Sequence, residues 1–365
     1  MLITVFFYSS IVIVSALFVY LSENSKKIEE KLIMLFFAFL VVFIPAAIRY
    51  NIGTDFLAYI DIFENIEQHP RLEAGFYYSN YFLKMFGFPS QTIIALMAFV
   101  FSLVALVALP REKGWVVYFA FMLVVYFFSF NVIRQAVAVA FSLLAIGLFL
   151  RGSFFQFVFW VCIGGLFHKS VFLLLPIGAL CQLQWRNNAY IYIFQIIGIF
   201  ALLIFYFYSS YVFHLMKTLL EFSGAVEYAS YFDSSKHFVK AEIKTGVGVI
   251  GNILFACYFI LRSKSLLEYN YRANLLILIA LLYALSLILT SQIVIFNRML
   301  AVFYAFPAYA MHMLLVMRDR YRQLDLLVAF IYGLLLFLLF IKNSFGFPDG
   351  YTNPLLNPYK VFFAN

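Results

Sequence analysis

Apolar residues fill this chain in long runs separated by short polar breaks, and the runs are too uniform to be single faces of soluble helices. A membrane-crossing helix needs roughly 20 apolar residues, within a range of about 17–25. Segments 2–21, 31–48, 90–110, 114–130, 132–150, 154–167, 170–184, 190–208, 246–262, 273–291, 294–317 and 325–342 meet or approach that length. The pattern predicts an all-α, polytopic integral membrane protein of about 12 transmembrane helices, organised as a single transmembrane domain over residues 1–365. A closed β-barrel would alternate apolar and polar positions, which runs such as 32–48 do not. The two segments flanking His168 are short and predict either tilted spans or a re-entrant pair buried in protein. The stretch from Glu73 to Phe86 is too polar and aromatic for a span, and its tyrosines and phenylalanines suit the membrane interface.

Charge gives the orientation. Alternate breaks carry Lys26, Lys27, Lys31, Arg111, Lys113, Arg151, Arg186, Arg262, Lys264, Arg272, Arg318, Arg320 and Arg322, all close to helix ends. This dense side reads as cytoplasmic by the positive-inside rule, and it puts both termini outside. The external face then holds segments 49–89, 209–245 and 343–365, together with the corners at 130–134, His168 and 291–298. The first apolar run lacks a basic start and a small-residue cleavage site, so it is expected to be a retained helix. The cytoplasmic breaks are too short for a nucleotide-binding domain, and no Walker-type glycine loop occurs. Chemistry is therefore expected outside, where no nucleotide is available and the substrate must already be activated.

Composition removes other classes. With 65% hydrophobic and 12% charged residues, the chain holds half the charge of a soluble domain, which is about one quarter charged. The net charge of +8 is scattered among breaks, with no basic stripe to bind nucleic acid. Cys162, Cys181 and Cys257 lie in apolar segments, without disulfide or metal-ligand spacing.

The unusual polar residues gather on the external side. Arg49 ends the second run and is followed by Gly53, which permits a tight turn, and by Asp55, a carboxylate able to accept a proton. Arg134 opens the fifth run, where its charge opposes the helix dipole, so it needs an anionic partner or a wet cavity. His168 interrupts a long apolar stretch, and ionisable groups inside membranes are candidate functional sites. Arg298, preceded by Asn297, lies among Ile295, Met299 and Leu300 near the outer end of another run. In the 209–245 segment, Tyr228, Tyr231, Asp233, Lys236, His237 and Glu242 interleave rings with polar groups, a pattern equally suited to sugars and to a solvated loop.

Arg-Tyr-Asn-Ile-Gly-Thr-Asp at 49–55 with Tyr59, Ile-Arg-Gln at 133–135, Phe-His-x-Ser at 167–170, Asn-Arg at 297–298 and Pro-Tyr-Lys at 358–360 together resemble the EpsG family, within the wider group of Wzy-type polysaccharide polymerases. The resemblance implies a multi-pass protein of a bacterial inner (cytoplasmic) membrane, similar to C-type membrane glycosyltransferases, using no cofactor and no metal. It implies transfer of a growing O-antigen or exopolysaccharide from undecaprenyl diphosphate to the non-reducing end of a new lipid-linked repeat. The implied partners are the lipid-linked oligosaccharide donor and acceptor, membrane lipids and a chain-length-determining co-polymerase.

Arg49, Arg134 and Arg298 are the expected diphosphate ligands, since arginine forks stabilise a departing anion. Asp55 or His168 is the expected base, and Tyr59, Gln135, Asn297 and Tyr231 the expected glycan contacts. An O-antigen ligase would share the diphosphate arginines. A membrane acyltransferase would explain His168 without the arginines, and a flippase would carry polar residues deeper through its spans and often internal repeats.

Overall fold

The computed structural model describes residues 2–182, 188–222, 246–290, 296–344, 356 and 359–364. Among these the chain is all-helical, and the one extended pairing is an isolated bridge between Arg49 and Val361. Helices α1 (Leu2–Asn24) and α2 (Ile28–Ile48) form a hairpin. Two short helices follow, α3 (Phe56–Glu64) and α4 (Ala74–Met85), then α5 (Gln91–Val107), α6 (Gly114–Val125), α7 (Phe128–Asn131), α8 (Ile133–Leu150), α9 (Phe154–Gly165) and α10 (Leu174–Leu180). The remainder comprises α11 (Asn188–Phe222), α12 (Val247–Leu261), α13 (Ser263–Tyr269), α14 (Asn274–Thr290), α15 (Asn297–Val302), α16 (Phe306–Val316) and α17 (Arg322–Ser344).

Six described helical stretches are long and apolar enough to cross a membrane, seven if α12 and α13, bent by 60°, form one span. Five shorter apolar helices accompany them. Several expected runs are broken. The run 114–130 ends as a span at Val125 and restarts as the single turn α7. The pair around His168 consists of α9, an extended His168, a 3-10 turn over Lys169–Leu173 and the seven-residue α10. In the other direction, α11 runs on past 208 to Phe222, through a kink at Tyr208 (φ −119°, ψ 25°). The first part of the segment expected to be an external loop from 209 is therefore helical, and 223–245 lies outside the described residues.

The chain forms two compact units, one from Met1–Pro176 and Pro307–Asn365, the other from Ile177–Phe306. In the first, α8 is central: 15 of its 18 residues are buried, and α5 and α9 pack against it. Its alanines and Gly147 let neighbours approach closely, as packing inside a membrane demands. A Cβ on Gly147 would fall 2.1 Å from the Tyr309 hydroxyl, which donates to the Ala108 carbonyl at 2.9 Å. Helices α2 and α17 instead leave one side exposed and apolar, including Phe36, Phe37, Phe330 and Leu334, as lipid contact requires. Glu23, near the end of α1, accepts the Trp115 N–H at 2.7 Å and caps the start of α6. In the second unit α14 packs on α12, and the Tyr283 hydroxyl donates to Asn252 Oδ1 at 2.9 Å.

Candidate active site

The end of α2 is closed by side chains. Of its last four carbonyls, which a helix leaves unpaired, Pro45 accepts from the Tyr359 hydroxyl at 2.7 Å, Ala46 from Arg49 and Ala47 from Gln91 at 2.7 Å. The chain then turns through Asn51, with φ 49°, and Gly53, with φ 102°. A Cβ at Gly53 would lie 2.1 Å from the Phe130 carbonyl oxygen, so no other residue fits that close approach. Asn131 fastens the same turn by accepting the Thr54 N–H at 2.8 Å. From the far end of the chain, the Lys360 carbonyl accepts the Tyr50 N–H at 3.0 Å, and the Leu356 carbonyl accepts from Tyr8 at 3.2 Å.

Arg49 sits at the centre of this junction and is 1% exposed. Its guanidinium donates to the carbonyls of Ala46, Ile52 and Phe130 and lies 4.7 Å from the centre of the Phe130 ring. No carboxylate among the described residues reaches it. The cavity beside it is about 10 Å³, room for one water and far too small for a diphosphate. Arg49 thus has backbone partners where a substrate anion was expected.

Arg134 has the opposite surroundings. Val132 (φ −112°, ψ 68°) breaks the chain between α7 and α8, which places Arg134 in the first turn of α8. Its Nη1 lies 2.6 Å from Glu73 Oε2, and the other carboxylate oxygen lies 3.2 Å from His168 Nδ1. The imidazole contact is close enough for an ion pair but poorly aligned for a hydrogen bond. All three side chains are largely buried, at 12% exposure for Glu73, 14% for His168 and 24% for Arg134. Arg134 Nε is buried without a hydrogen-bond partner, and the guanidinium lies 5.3 Å from the Phe76 ring centre.

Glu73 reaches these partners because α4 docks tightly on the end of α9. The Gly75 N–H donates to the Leu166 carbonyl at 2.8 Å, and a Cβ on Gly75 would come within 2.9 Å of that oxygen. Burial opposes the Glu73 charge. Contact with His168, a hydrogen bond from its own backbone and the Arg134 charge outweigh burial and bring its pKa down to about 2. Tyr59 is buried beside the cluster, its ring 5.8 Å from Phe76. Burial pushes its hydroxyl up to about 12 despite the opposing pull of Arg134.

The EpsG family matches residues 32–361, a stretch that contains every element of this cluster. The chain belongs to the EpsG family. No curated protein and no solved structure matches it. EpsG-family membership, with the series of apolar helices, points to a multi-pass membrane protein acting as a glycosyltransferase-like polysaccharide polymerase.

The remaining EpsG-like positions divide. Asp55 is half-buried, accepts from the Thr54 hydroxyl at 3.2 Å and is near enough to act on the Tyr59 hydroxyl. Gln135 is buried and approaches Ser170 Oγ at 3.5 Å. Asn297 and Arg298 open α15 in the second unit and are exposed. Tyr231 lies outside the described residues. Glu73 is the functional candidate that sequence reading missed. The available signal was Arg134 itself, whose place at a helix start calls for an anion, and Glu73 is an acid in the polar segment before α5.

Proposed function

We propose that this EpsG-family protein polymerises lipid-linked oligosaccharide repeats on the outer face of the bacterial inner membrane. The growing glycan passes from undecaprenyl diphosphate to the non-reducing end of a new lipid-linked repeat. The observation that carries the reading is the Glu73 carboxylate held between Arg134 and His168 within the family-matched segment.

In this mechanism the acceptor hydroxyl oxygen bonds to the anomeric carbon of the donor as the bond from that carbon to the diphosphate breaks. His168 takes the hydroxyl proton. Its Nδ1 faces the Glu73 anion, which favours a proton there and leaves Nε2, unpaired among the described residues, as the lone pair. Glu73 is too weak a base for this task at a pKa of about 2, so it acts as a positioning residue. Arg134, with Nη1 committed to Glu73 and Nε unpaired, stabilises the departing diphosphate. Arg49 holds the turn that carries Asp55 and Tyr59. Arg298 and Asn297, on the second unit, are proposed as further diphosphate and glycan contacts on sequence grounds. A chain-length co-polymerase as partner rests on family membership.

A surface-glycan gel from a strain lacking the gene, complemented with wild type or His168→Gln, tests the reading. Glycan bearing single repeats in the deletion, restored to a ladder by wild type only, supports a polymerase. A persistent ladder of altered mass supports an acyltransferase, and loss of every repeat supports a flippase or ligase. A ladder restored by His168→Gln but not by Asp55→Asn transfers the role of base to Asp55.

A further inference from the structure

The first unit carries a groove at the other end of α6 from Arg134. Its volume is about 550 Å³, within the usual range for small-molecule sites. Trp115, Val116 and Phe119 of α6, Met311 and Leu315 of α16, and the face of α17 from Leu326 to Phe337 line it. Along α17 this face extends about 17 Å at 1.5 Å per residue. Ala329 and Gly333 line it with little bulk of their own, and a Cβ on Gly333 would come within 3.1 Å of Met311 Cε. Such a trough accepts one hydrocarbon chain.

One end is cationic. Lys113 lines the groove and donates to the Leu315 carbonyl, which uses one of its three protons. Arg322 is exposed and stands one turn before Leu326 on the same side of α17. Arg318 and Arg320 are exposed in the connection leading to α17, and Arg111 is exposed before α6. The acids near this end are engaged or withdrawn: Glu23 caps α6, Asp319 accepts the Tyr321 N–H at 2.9 Å and Asp325 is fully buried. Glu112 is exposed. Net positive charge beside an apolar trough is the arrangement that holds anionic lipid headgroups.

We propose that this groove binds an anionic glycerophospholipid, with one acyl chain along α17 and the headgroup phosphate at the end marked by Lys113 and Arg322. The occupant is a membrane lipid and differs from the polymerisation substrate, whose diphosphate belongs at the Arg134 end of α6. The site stands independently of the proposed reaction.

The test is native mass spectrometry of the full chain in detergent, titrated with phosphatidylglycerol, phosphatidylcholine or undecaprenyl phosphate. Wild type should retain phosphatidylglycerol in preference to both other lipids. Arg322→Gln should weaken phosphatidylglycerol about fivefold, the worth of one basic residue near an anionic headgroup, and leave phosphatidylcholine unchanged. Gly333→Leu should fill the groove and weaken both phospholipids by about tenfold. Equal retention of the two phospholipids by wild type would overturn the proposal, as would preferred retention of undecaprenyl phosphate. If Gly333→Leu does not fold, Arg322→Gln decides alone, and unchanged phosphatidylglycerol binding in that variant rejects the site.

Discussion

Arg49 and Arg134 look alike in sequence, each standing at the edge of an apolar run, yet their surroundings have opposite designs. Arg49 ends a helix and its charge is spread over three carbonyls and a ring, with the C-terminal residues packed around it. Arg134 begins a helix, where the dipole repels it, and it is balanced by a carboxylate brought from α4. A cation at a helix C-terminus is favoured by the local dipole and can serve as a structural staple. One at an N-terminus is opposed by that dipole, and here it retains an unpaired donor. The polarity of the helix end, more than the arginine itself, sets whether the guanidinium is met by carbonyls or by a carboxylate.

Substitutions in the two regions test the contrast. The largest effect is expected for His168→Gln, which should slow polymerisation of lipid-linked repeats by about 10²–10⁴-fold, the usual share of a general base, with thermal stability nearly unchanged. Glu73→Gln should cost less, about 10–10²-fold, because the imidazole remains but loses its orienting anion. The ascending limb of the pH–rate profile should also move in this variant, a change that loss of packing alone would not produce. Gly53→Ala should act in the other region. A methyl group against the Phe130 carbonyl, at a positive φ, should destabilise by about 1–3 kcal/mol and reduce the amount of folded protein recovered. Tyr359→Phe, which removes one hydrogen bond to the end of α2, should cost about 1 kcal/mol, visible in a detergent melt.

The pH dependence of stability provides a smaller, signed test. The Glu73 pKa falls from its ordinary 4.5 to about 2, so its contribution is complete above 4.5, fades as pH drops below that value and is gone below about 2. Wild type should be more stable than Glu73→Gln at pH 7, and the gap in melting temperature should narrow as the pH is lowered toward 3. A gap that stayed constant over that interval would mean the carboxylate does not carry the pairing.

Much of this architecture was legible in the apolar pattern. Helices occur at each expected run, and the interruption at His168 is real because an extended residue and a 3-10 turn separate α9 from α10. The stretch after Glu73 forms α4, whose 12 residues are too short to span and whose Tyr78, Tyr81 and Phe82 are exposed. Other features depend on contacts between distant parts of the chain. Glu73 and Arg134 are 61 residues apart, and the acid's role follows from the glycine-mediated docking of α4 on α9. The sealing of Arg49 required knowing that Tyr359 and Lys360 return to the end of α2. The continuation of α11 past Tyr208 was hidden because its tyrosines and polar residues look like the start of a loop.

Arg134 is proposed to take part in the reaction, whereas Arg49 holds the turn after α2 together. The most direct measurement is polymer length made by purified, reconstituted Arg134→Met, compared with wild type at equal amounts of folded protein. The expected result is a melting temperature within a few degrees of wild type and a loss of chain extension of about 10²-fold or more, the scale for removing a charge-stabilising donor. A full-length ladder made by folded Arg134→Met would contradict the claim and return the search for the diphosphate ligand to the second unit and Arg298.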